Sequence, residues 1–324
     1  MNYLSLFSGI GAFEKAMNNL QIPFDLVGYS EIDKYASNSY SEIHGIPESM
    51  NLGDITKIDE KKLPKVDLIT YGFPCQDISI AGKQQGLLND DGTKTRSGLF
   101  FDALRIIEHT QPIVAIAENV KNLVGKKFNP QFQVVLASLE SAGYNNYWAV
   151  LNSKNFGVPQ NRERVFIVSI RKDYDTGLFE FPKPFPLEKR LKDVLEDVVD
   201  KRYYFTEQSY KCLNAILKRS KERGLGFRSG IIKHYDKYGV CACIDANYHK
   251  GCDGKRTMIE ELDGSLRMLT PKECFRIMGF TDEDFEKCSC SNTQLYKQAG
   301  NSIVVDVAEE LLCMLFDEEG KFFI

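Results

Sequence analysis

No run of about 18 apolar residues occurs anywhere in this 324-residue chain, so the sequence offers no membrane-spanning helix. The opening Met1-Asn2-Tyr3-Leu4-Ser5-Leu6-Phe7 has no basic region ahead of an apolar stretch, which argues against a secretory leader and leaves a soluble, cytoplasmic protein as the expectation. Nine cysteines, odd in number and scattered, do not make a disulfide framework and suit a reducing compartment. C-x-x-C spacing is also missing: Cys241-Ala242-Cys243 and Cys288-Ser289-Cys290 are C-x-C pairs, so no metal site is expected. Internal repeats and low-complexity segments are absent. So is a positive overall charge: the net of −4 taken globally argues against a nucleic-acid partner.

The distribution of charge argues the other way. Residues 201–280 hold 16 Lys+Arg against 9 Asp+Glu, a cationic segment on an acidic body, as local phosphate binding requires. The length supports one large domain plus a smaller one. Apolar runs at 3–7, 24–29, 66–71, 113–117, 147–151 and 165–170 read as strands. Phe13, Ala16, Met17 and Leu20 fall at helical spacing after the first run, and Phe132, Val135, Leu136 and Leu139 between the fourth and fifth. The alternation predicts an α/β fold, a mostly parallel sheet covered by helices on both faces. Alternate prolines at 182, 184 and 186 favour a stiff, extended connection that ends this pattern. Residues 220–265 then read as short strands and loops. Thr270-Pro271-Lys272-Glu273 spells a capping box with proline at the first helical position. Val304, Ala308, Leu311, Leu312 and Leu315 share one face of a last helix that packs back on the sheet. The expected domains are 1–185 plus 286–324, and 186–285.

The candidate chemistry lies at strand ends, where a doubly wound sheet places its ligands. Phe7-Ser8-Gly9-Ile10-Gly11 forms the first strand-to-helix turn, but Glu14 replaces the third glycine of the dinucleotide fingerprint. A compact, amino-acid-bearing cofactor suits this turn better than a pyrophosphate. Glu31, about 20 residues on, suits the hydroxyls of a ribose. Asp54 can offer a carboxylate to an exocyclic amine. Gly72-Phe73-Pro74-Cys75-Gln76 places a proline-held cysteine just past the third strand, where a thiolate nucleophile is plausible. Glu118-Asn119-Val120 ends the next strand at the same edge and suits a proton donor. Arg162 and Arg164, two residues apart, fall on one side of an extended chain and would together hold an oxygen acceptor.

Together and in this order, these segments resemble the DNA (cytosine-5)-methyltransferases. Arg267 to Cys274 is similar to the structural motif beside their recognition domain, and Gln298-Ala299-Gly300-Asn301-Ser302-Ile303-Val304 to their final cofactor motif. The resemblance covers about residues 3–185 and 265–310, with a length most like compact bacterial restriction-modification and phage enzymes. It implies a Rossmann-like S-adenosylmethionine-dependent methyltransferase sheet with a smaller, mainly β and loop target-recognition domain. The cofactor, S-adenosyl-L-methionine, would meet Phe7, Ser8, Gly9, Gly11, Glu31, Ile32, Asp54, Ile55, Pro74, Leu99, Asn301 and Ser302. Ile32 departs from the aromatic often found there, and Cys243-Ile244 stands where the family often has Thr and an aliphatic residue.

The mechanism the resemblance implies has Cys75 adding to cytosine carbon 6 and the methyl group passing to carbon 5. Glu118 would bind ring nitrogen 3 and the exocyclic amine, Arg164 the ring oxygen, and Arg162 would steady the site. The base must first leave the DNA stack, at a cost of a few kcal/mol. The loop 79–97 would close over it. Double-stranded DNA would be held by Gln76, Ser79, Lys83, Arg96, Arg223, Arg228, Asn247, Tyr248, Lys250 and Arg256. The expected enzyme is a monomer, with a restriction endonuclease, if present, acting separately. Alternatives are a tRNA cytosine-5 methyltransferase, whose Cys-Phe-Thr signature is broken here by Arg276 after Cys274-Phe275, and a catalytically inactive DNA-binding homologue. A nicotinamide-linked oxidoreductase is disfavoured by the altered glycine turn.

Overall fold

The structure is a computed structural model. It describes the chain apart from residues 75–86, 88–94, 96, 223–229, 234–235, 237–238, 252–255, 318–319 and 323–324 and the side chain of Ser220. By its internal contacts the chain divides into two compact units, one made of Met1–Leu151, Glu163–Lys183 and Val307–Ile324, the other of Asn152–Arg162 and Pro184–Asp306.

The first unit begins β1 (Asn2–Leu6), α1 (Ala12–Asn19), β2 (Asp25–Ser30), α2 (Lys34–His44), β3 (Leu68–Tyr71), α3 (Phe100–Thr110), β4 (Val114–Val120), α4 (Asn129–Ser141) and β5 (Tyr144–Asn152). After β6 (Gln160–Asn161), which belongs to the second unit, β7 (Glu163–Arg171) returns to the first. Six strands form one sheet in the order β2-β1-β3-β4-β7-β5. The β1/β2, β1/β3 and β3/β4 pairs are parallel, as the alternating pattern predicts. β7 instead runs antiparallel to β4, so the sheet is mixed. An apolar run does not reveal its direction, which is why the sequence missed this reversal.

The parallel strands are buried along their length. Leu68, Ile69, Val114, Ala115 and Ile116 are fully covered, and the core extends through Phe100 and Ile107 of α3 and Phe132, Val135 and Leu139 of α4. Local signals start and stop the helices. Asp33 caps α2 by accepting from the backbone N–H groups of Tyr35 and Ala36, and Gly45 ends it in the left-handed region.

The second unit contains α5 (Glu207–Glu222), β8 (Ile231–Lys233), β9 (Cys241–Ala242), β10 (Met258–Glu260), β11 (Leu266–Met268), α6 (Pro271–Ile277), α7 (Asp282–Lys287) and α8 (Asn292–Asn301). β11, β10 and β8 form a three-stranded sheet, and β6 pairs in parallel with β9. A small core of Leu213, Met258 and Leu266 is joined by Phe205, Tyr210 and Leu217. The 16-residue α5 was not anticipated, although Tyr210, Leu213 and Leu217 recur at helical spacing among its lysines. The capping box at α6 forms as spelled: Thr270 accepts from Glu273 N–H, and Glu273 accepts from Thr270 N–H. Residues 286–306, placed with the first domain on sequence, cluster with this unit. α9 (Val305–Cys313) crosses the boundary at 306/307, burying Ala308, Leu311 and Leu312, and Asn19 of α1 donates to its Glu309 at 2.6 Å.

Arg267 and Glu273 form a fully buried ion pair with contacts at 2.8 and 2.9 Å, and Arg267 also binds Glu261. Removing Glu273 takes two charge-assisted hydrogen bonds from a guanidinium that has no solvent to replace them and leaves it with Glu261 alone. Glu273→Ala is therefore expected to destabilise the second unit by about 3–5 kcal/mol. Thermal unfolding followed by circular dichroism checks this; an unchanged transition would contradict it.

Candidate active site

Three positive-φ positions, Phe7, Gly9 and Gly11, fold the β1–α1 turn tightly. Space at the two glycines differs. Among the described residues a Cβ at Gly9 would meet nothing within 4 Å, whereas one at Gly11 would lie 2.3 Å from His44 Nε2 and 2.9 Å from Tyr40. Gly11 thus permits close packing on α2, while Gly9 faces open space. His44 Nε2 also lies 3.0 Å from the Ile10 carbonyl. Glu14, in the place of the missing third glycine, is buried and accepts from the Tyr40 hydroxyl at 2.8 Å. Tyr40 and His44 carried no motif signal, yet they shape this turn.

Glu31 stands at the end of β2. Its Oε2 accepts from Gly9 N–H at 3.0 Å and its Oε1 from Asp33 N–H at 2.8 Å. A carboxylate has about four acceptor positions, so these bonds leave capacity for two further donors. Burial pushes the Glu31 carboxyl above its ordinary value, against the pull of the Asp33 and Gly9 amides. Asn51, absent from the sequence-based set, ties this corner together. Its Oδ1 accepts from the N–H groups of Glu31 and Gly53, and its Nδ2 donates to the Glu31 carbonyl and Ser37 Oγ. Ser8 Oγ is buried with no hydrogen-bond partner among the described residues. An unsatisfied hydroxyl, a carboxylate with acceptors to spare and an open glycine suit a polar, ribose-bearing ligand.

The other members of the expected cofactor set are more varied. Ile32 is 75% exposed beside Glu31, an apolar surface well placed for a planar ring. The Asp54 carboxylate caps the turn Ile55–Lys57, and hydrogen bonds from Thr56 hold it below its ordinary pKa. Ile55 needs correction as a side-chain contact. It is buried in the main core, where it packs with Ile58 and Phe100. Leu99 packs, half-buried, against that core; Pro74 is also half-buried.

Cys75, Gln76, Ser79, Lys83, Arg96 and nearly all of the loop 79–97 lie outside the described residues, as do Arg223 and Arg228. The chain leading into Cys75 is held from β4. Asn119 Nδ2 donates to the Phe73 carbonyl at 3.0 Å, and a Cβ on Gly72 would lie 3.7 Å from Glu118 Oε2. In the β4/β7 ladder Glu118 faces Phe166 and Val120 faces Arg164, so Glu118 and Arg164 are diagonal neighbours on one sheet face. Arg164 Nε meets Glu118 Oε1 at 2.9 Å, with both side chains largely buried. A screened pair of this kind fixes the carboxyl group and provides a local cation beside it.

Arg162 does not join that pair, a correction to the expectation that both arginines hold one acceptor. The chain leaves the sheet before Glu163, and Arg162 lies in the second unit. There its guanidinium donates to the carbonyls of Ile244 at 2.8 Å, Gly300 at 3.1 Å and Ser302 at 2.6 Å. Asn301 is exposed at the end of α8, while Ser302 is buried with its hydroxyl donating to the Ile303 carbonyl. Among expected DNA contacts, Asn247 and Lys250 are exposed. Tyr248 requires correction: it is 1% exposed, and its hydroxyl donates to the Thr257 carbonyl and accepts from Leu269 N–H. Arg256 is also mostly buried, bracing its own loop through the Gly251 carbonyl and Asp245.

A β/α sheet with a ribose-suited carboxylate ending its second strand, and an acid–arginine pair beside the Gly72–Phe73 segment, fits a Rossmann-like transferase of the S-adenosylmethionine-dependent class. The family model for C-5 cytosine-specific DNA methylases matches residues 1–316, and the chain belongs to that family. It is a DNA cytosine-5 methyltransferase whose methyl donor is S-adenosylmethionine. Type II methyltransferase M2.ScrFI of Lactococcus lactis subsp. cremoris is 40% identical over 94% of this chain and 82% of that enzyme. Type II methyltransferase M.Bsp6I of Bacillus sp. (strain RFL6) is 36% identical over 95% of this chain and 96% of that enzyme. In fold the chain is similar to a Spodoptera frugiperda DNMT2 mutant, with a TM-score of 0.75, 22% identity and coverage of 98% and 99% of the two chains.

Proposed function

We propose that this enzyme methylates cytosine within a specific duplex sequence through a covalent adduct at Cys75, with Glu118 and Arg164 acting on the extruded ring. The Arg164–Glu118 contact at 2.9 Å carries the reading, because it gives a largely buried acid a fixed orientation beside Gly72, three residues ahead of Cys75 in sequence. The Cys75 thiolate adds to carbon 6, the electron pair of the 5,6 double bond becomes available at carbon 5, and Glu118 neutralises charge at ring nitrogen 3. Arg164 binds the ring oxygen. S-adenosylmethionine supplies an electrophilic methyl group to carbon 5. Loss of the carbon 5 proton to a base and expulsion of the thiolate restore the aromatic ring.

Glu31 would hold the donor through its ribose hydroxyls, with Ser8, Gly9 and Ile32 of the same unit around it. Since the carboxylate is the form that accepts two hydroxyl donors, affinity is complete above the raised pKa of Glu31 and lost as pH falls through it. S-adenosylhomocysteine binding, measured by calorimetry, is expected to weaken at a higher pH than an ordinary carboxylate would give. Glu31→Gln should remove this step and weaken binding about ten- to hundredfold, from the loss of about 1.5–3 kcal/mol of charge-assisted hydrogen bonding. An unchanged pH profile in the variant would refute the assignment.

The second unit, with exposed Asn247 and Lys250 on a cationic segment, reads the DNA. The type II designations of M2.ScrFI and M.Bsp6I support a companion endonuclease that acts separately. Bisulfite sequencing of DNA from cells expressing the chain tests the central reading. Protected cytosines in one recurring sequence support it; methylated tRNA with unmodified DNA would replace it.

A further inference from the structure

The segment from Cys241 to Gly251 contains the exposed Asn247 and Lys250, and its fixed end is gripped by the motif that precedes β7. Gln160 and Asn161 pair with Cys241 and Ala242. Two residues further along, the peptide groups of Ile244 are held on both sides: Gln160 Oε1 accepts its N–H at 3.0 Å, and Arg162 Nη1 donates to its carbonyl at 2.8 Å. Both side chains are buried, Gln160 completely and Arg162 to 3% exposure. The other arm of Arg162 reaches the Gly300 and Ser302 carbonyls. Gly300 explains how near these strands of backbone come, because a Cβ there would lie 2.2 Å from the Asp245 carbonyl carbon and 2.3 Å from Ala246 N.

We infer that Gln160 and Arg162 are positioning residues for DNA recognition, which set the register of segment 241–251, and that neither touches the reacting base. A guanidinium suits this role because its rigid fork serves carbonyls in different directions, which a single lysine ammonium does less well. Ile244 must be fixed because any rotation of its peptide plane re-aims Asp245, Ala246 and Asn247, the residues that lead to the exposed tip. The inference rests on the reading that this segment meets DNA. It gives the two arginines of one motif different roles, with Arg164 on the acid and Arg162 on the recognition segment.

Gln160→Met and Arg162→Lys test it, each assayed for cofactor affinity, KM for duplex DNA containing the methylated sequence and single-turnover rate at saturating DNA. The expected signature is a KM for DNA raised tenfold or more and a comparable loss of discrimination against duplexes with one altered base pair. The saturated single-turnover rate should change less than threefold and the cofactor affinity less than twofold. Arg164→Lys should show the opposite split. A large fall in saturated rate with unchanged KM in either variant would overturn the inference, since it would place the residue on the base. Gln160→Met keeps the side-chain volume, and amide exchange on the unaltered enzyme supplies a readout free of any folding defect. The Ile244 amide should be among the slowest to exchange in segment 241–251 before DNA is added; fast exchange there would also overturn it. Failure to methylate any DNA, even in the unaltered enzyme, would instead refute the underlying function.

Discussion

Cys75→Ser is expected to reduce methyl transfer by roughly four orders of magnitude or more, the scale seen when a covalent nucleophile is removed from a working constellation. The reason lies in the ring. Carbon 5 of cytosine is too weak a nucleophile to take a methyl group unaided, so the reaction waits on an addition at carbon 6. A thiol supplies a few per cent of thiolate at neutral pH, and that thiolate is intrinsically reactive; a serine hydroxyl, with no base to activate it, supplies almost none. The structure favours the position as well. Asn119 fixes the Phe73 carbonyl, and Gly72 lies close to the Glu118 carboxyl, so the chain enters Pro74 from a defined point beside the acid. Transfer of a radiolabelled methyl group to duplex DNA measures the loss, and cofactor binding should survive because Glu31 and the β1–α1 turn are untouched. DNA carrying 5-fluorocytosine in the target sequence sharpens the test. With no proton to lose from carbon 5, the adduct cannot collapse, and the unaltered enzyme should remain covalently attached while Cys75→Ser does not. A serine variant with near-normal turnover would show that Cys75 is not the nucleophile.

The parts of the fold that were legible in the sequence are those written in short-range pattern. Each of the six strands of the main sheet was marked by an apolar run, and α6 by its capping box, because burial and capping depend on residues close together in the chain. What was illegible depended on partners distant in sequence. The reversal of β7 leaves no trace in its own residues. Arg162 and Arg164 look equivalent by spacing, but β6 pairs with β9 and β7 with β4, so the chain passes from one unit to the other between them. Tyr248, set among Gly, Lys and His, reads as a surface aromatic; only the positions of Thr257 and Leu269 reveal that its hydroxyl is satisfied inside. Asn51 was overlooked for a similar reason. An asparagine two residues ahead of a glycine reads as a turn residue, and nothing local indicates that its amide also clasps the end of β2. The position of Glu118, by contrast, was legible because it lies near the end of an apolar strand in a recognisable motif.

Arg164→Met should cost the second-largest effect, about a hundred- to a thousandfold in single-turnover rate, comparable to removing one preorganised donor from a developing oxyanion. As thiolate adds to carbon 6, electron density moves toward ring nitrogen 3 and the ring oxygen. A fixed cation at that edge stabilises the addition more than it stabilises the resting base, so the loss should appear in rate more than in KM. The same guanidinium holds Glu118 by its Nε contact, which means that methionine removes a charge and releases the acid together. The two effects can be separated. Glu118→Gln keeps the shape of the acid but cannot give up a proton as a carboxyl group does, and it too should slow the saturated rate. If the pair works as a unit, the double variant Glu118→Gln/Arg164→Met will be little slower than the worse single variant, since each change has already disabled what the other would remove. Losses that multiply would mean independent roles, with the 2.9 Å contact incidental to catalysis. Rates are best compared well below the unfolding transition of each variant, because a largely buried carboxylate left without its cation also lowers stability. A rise in KM for DNA with an unchanged saturated rate would move Arg164 from the ring oxygen to the DNA backbone.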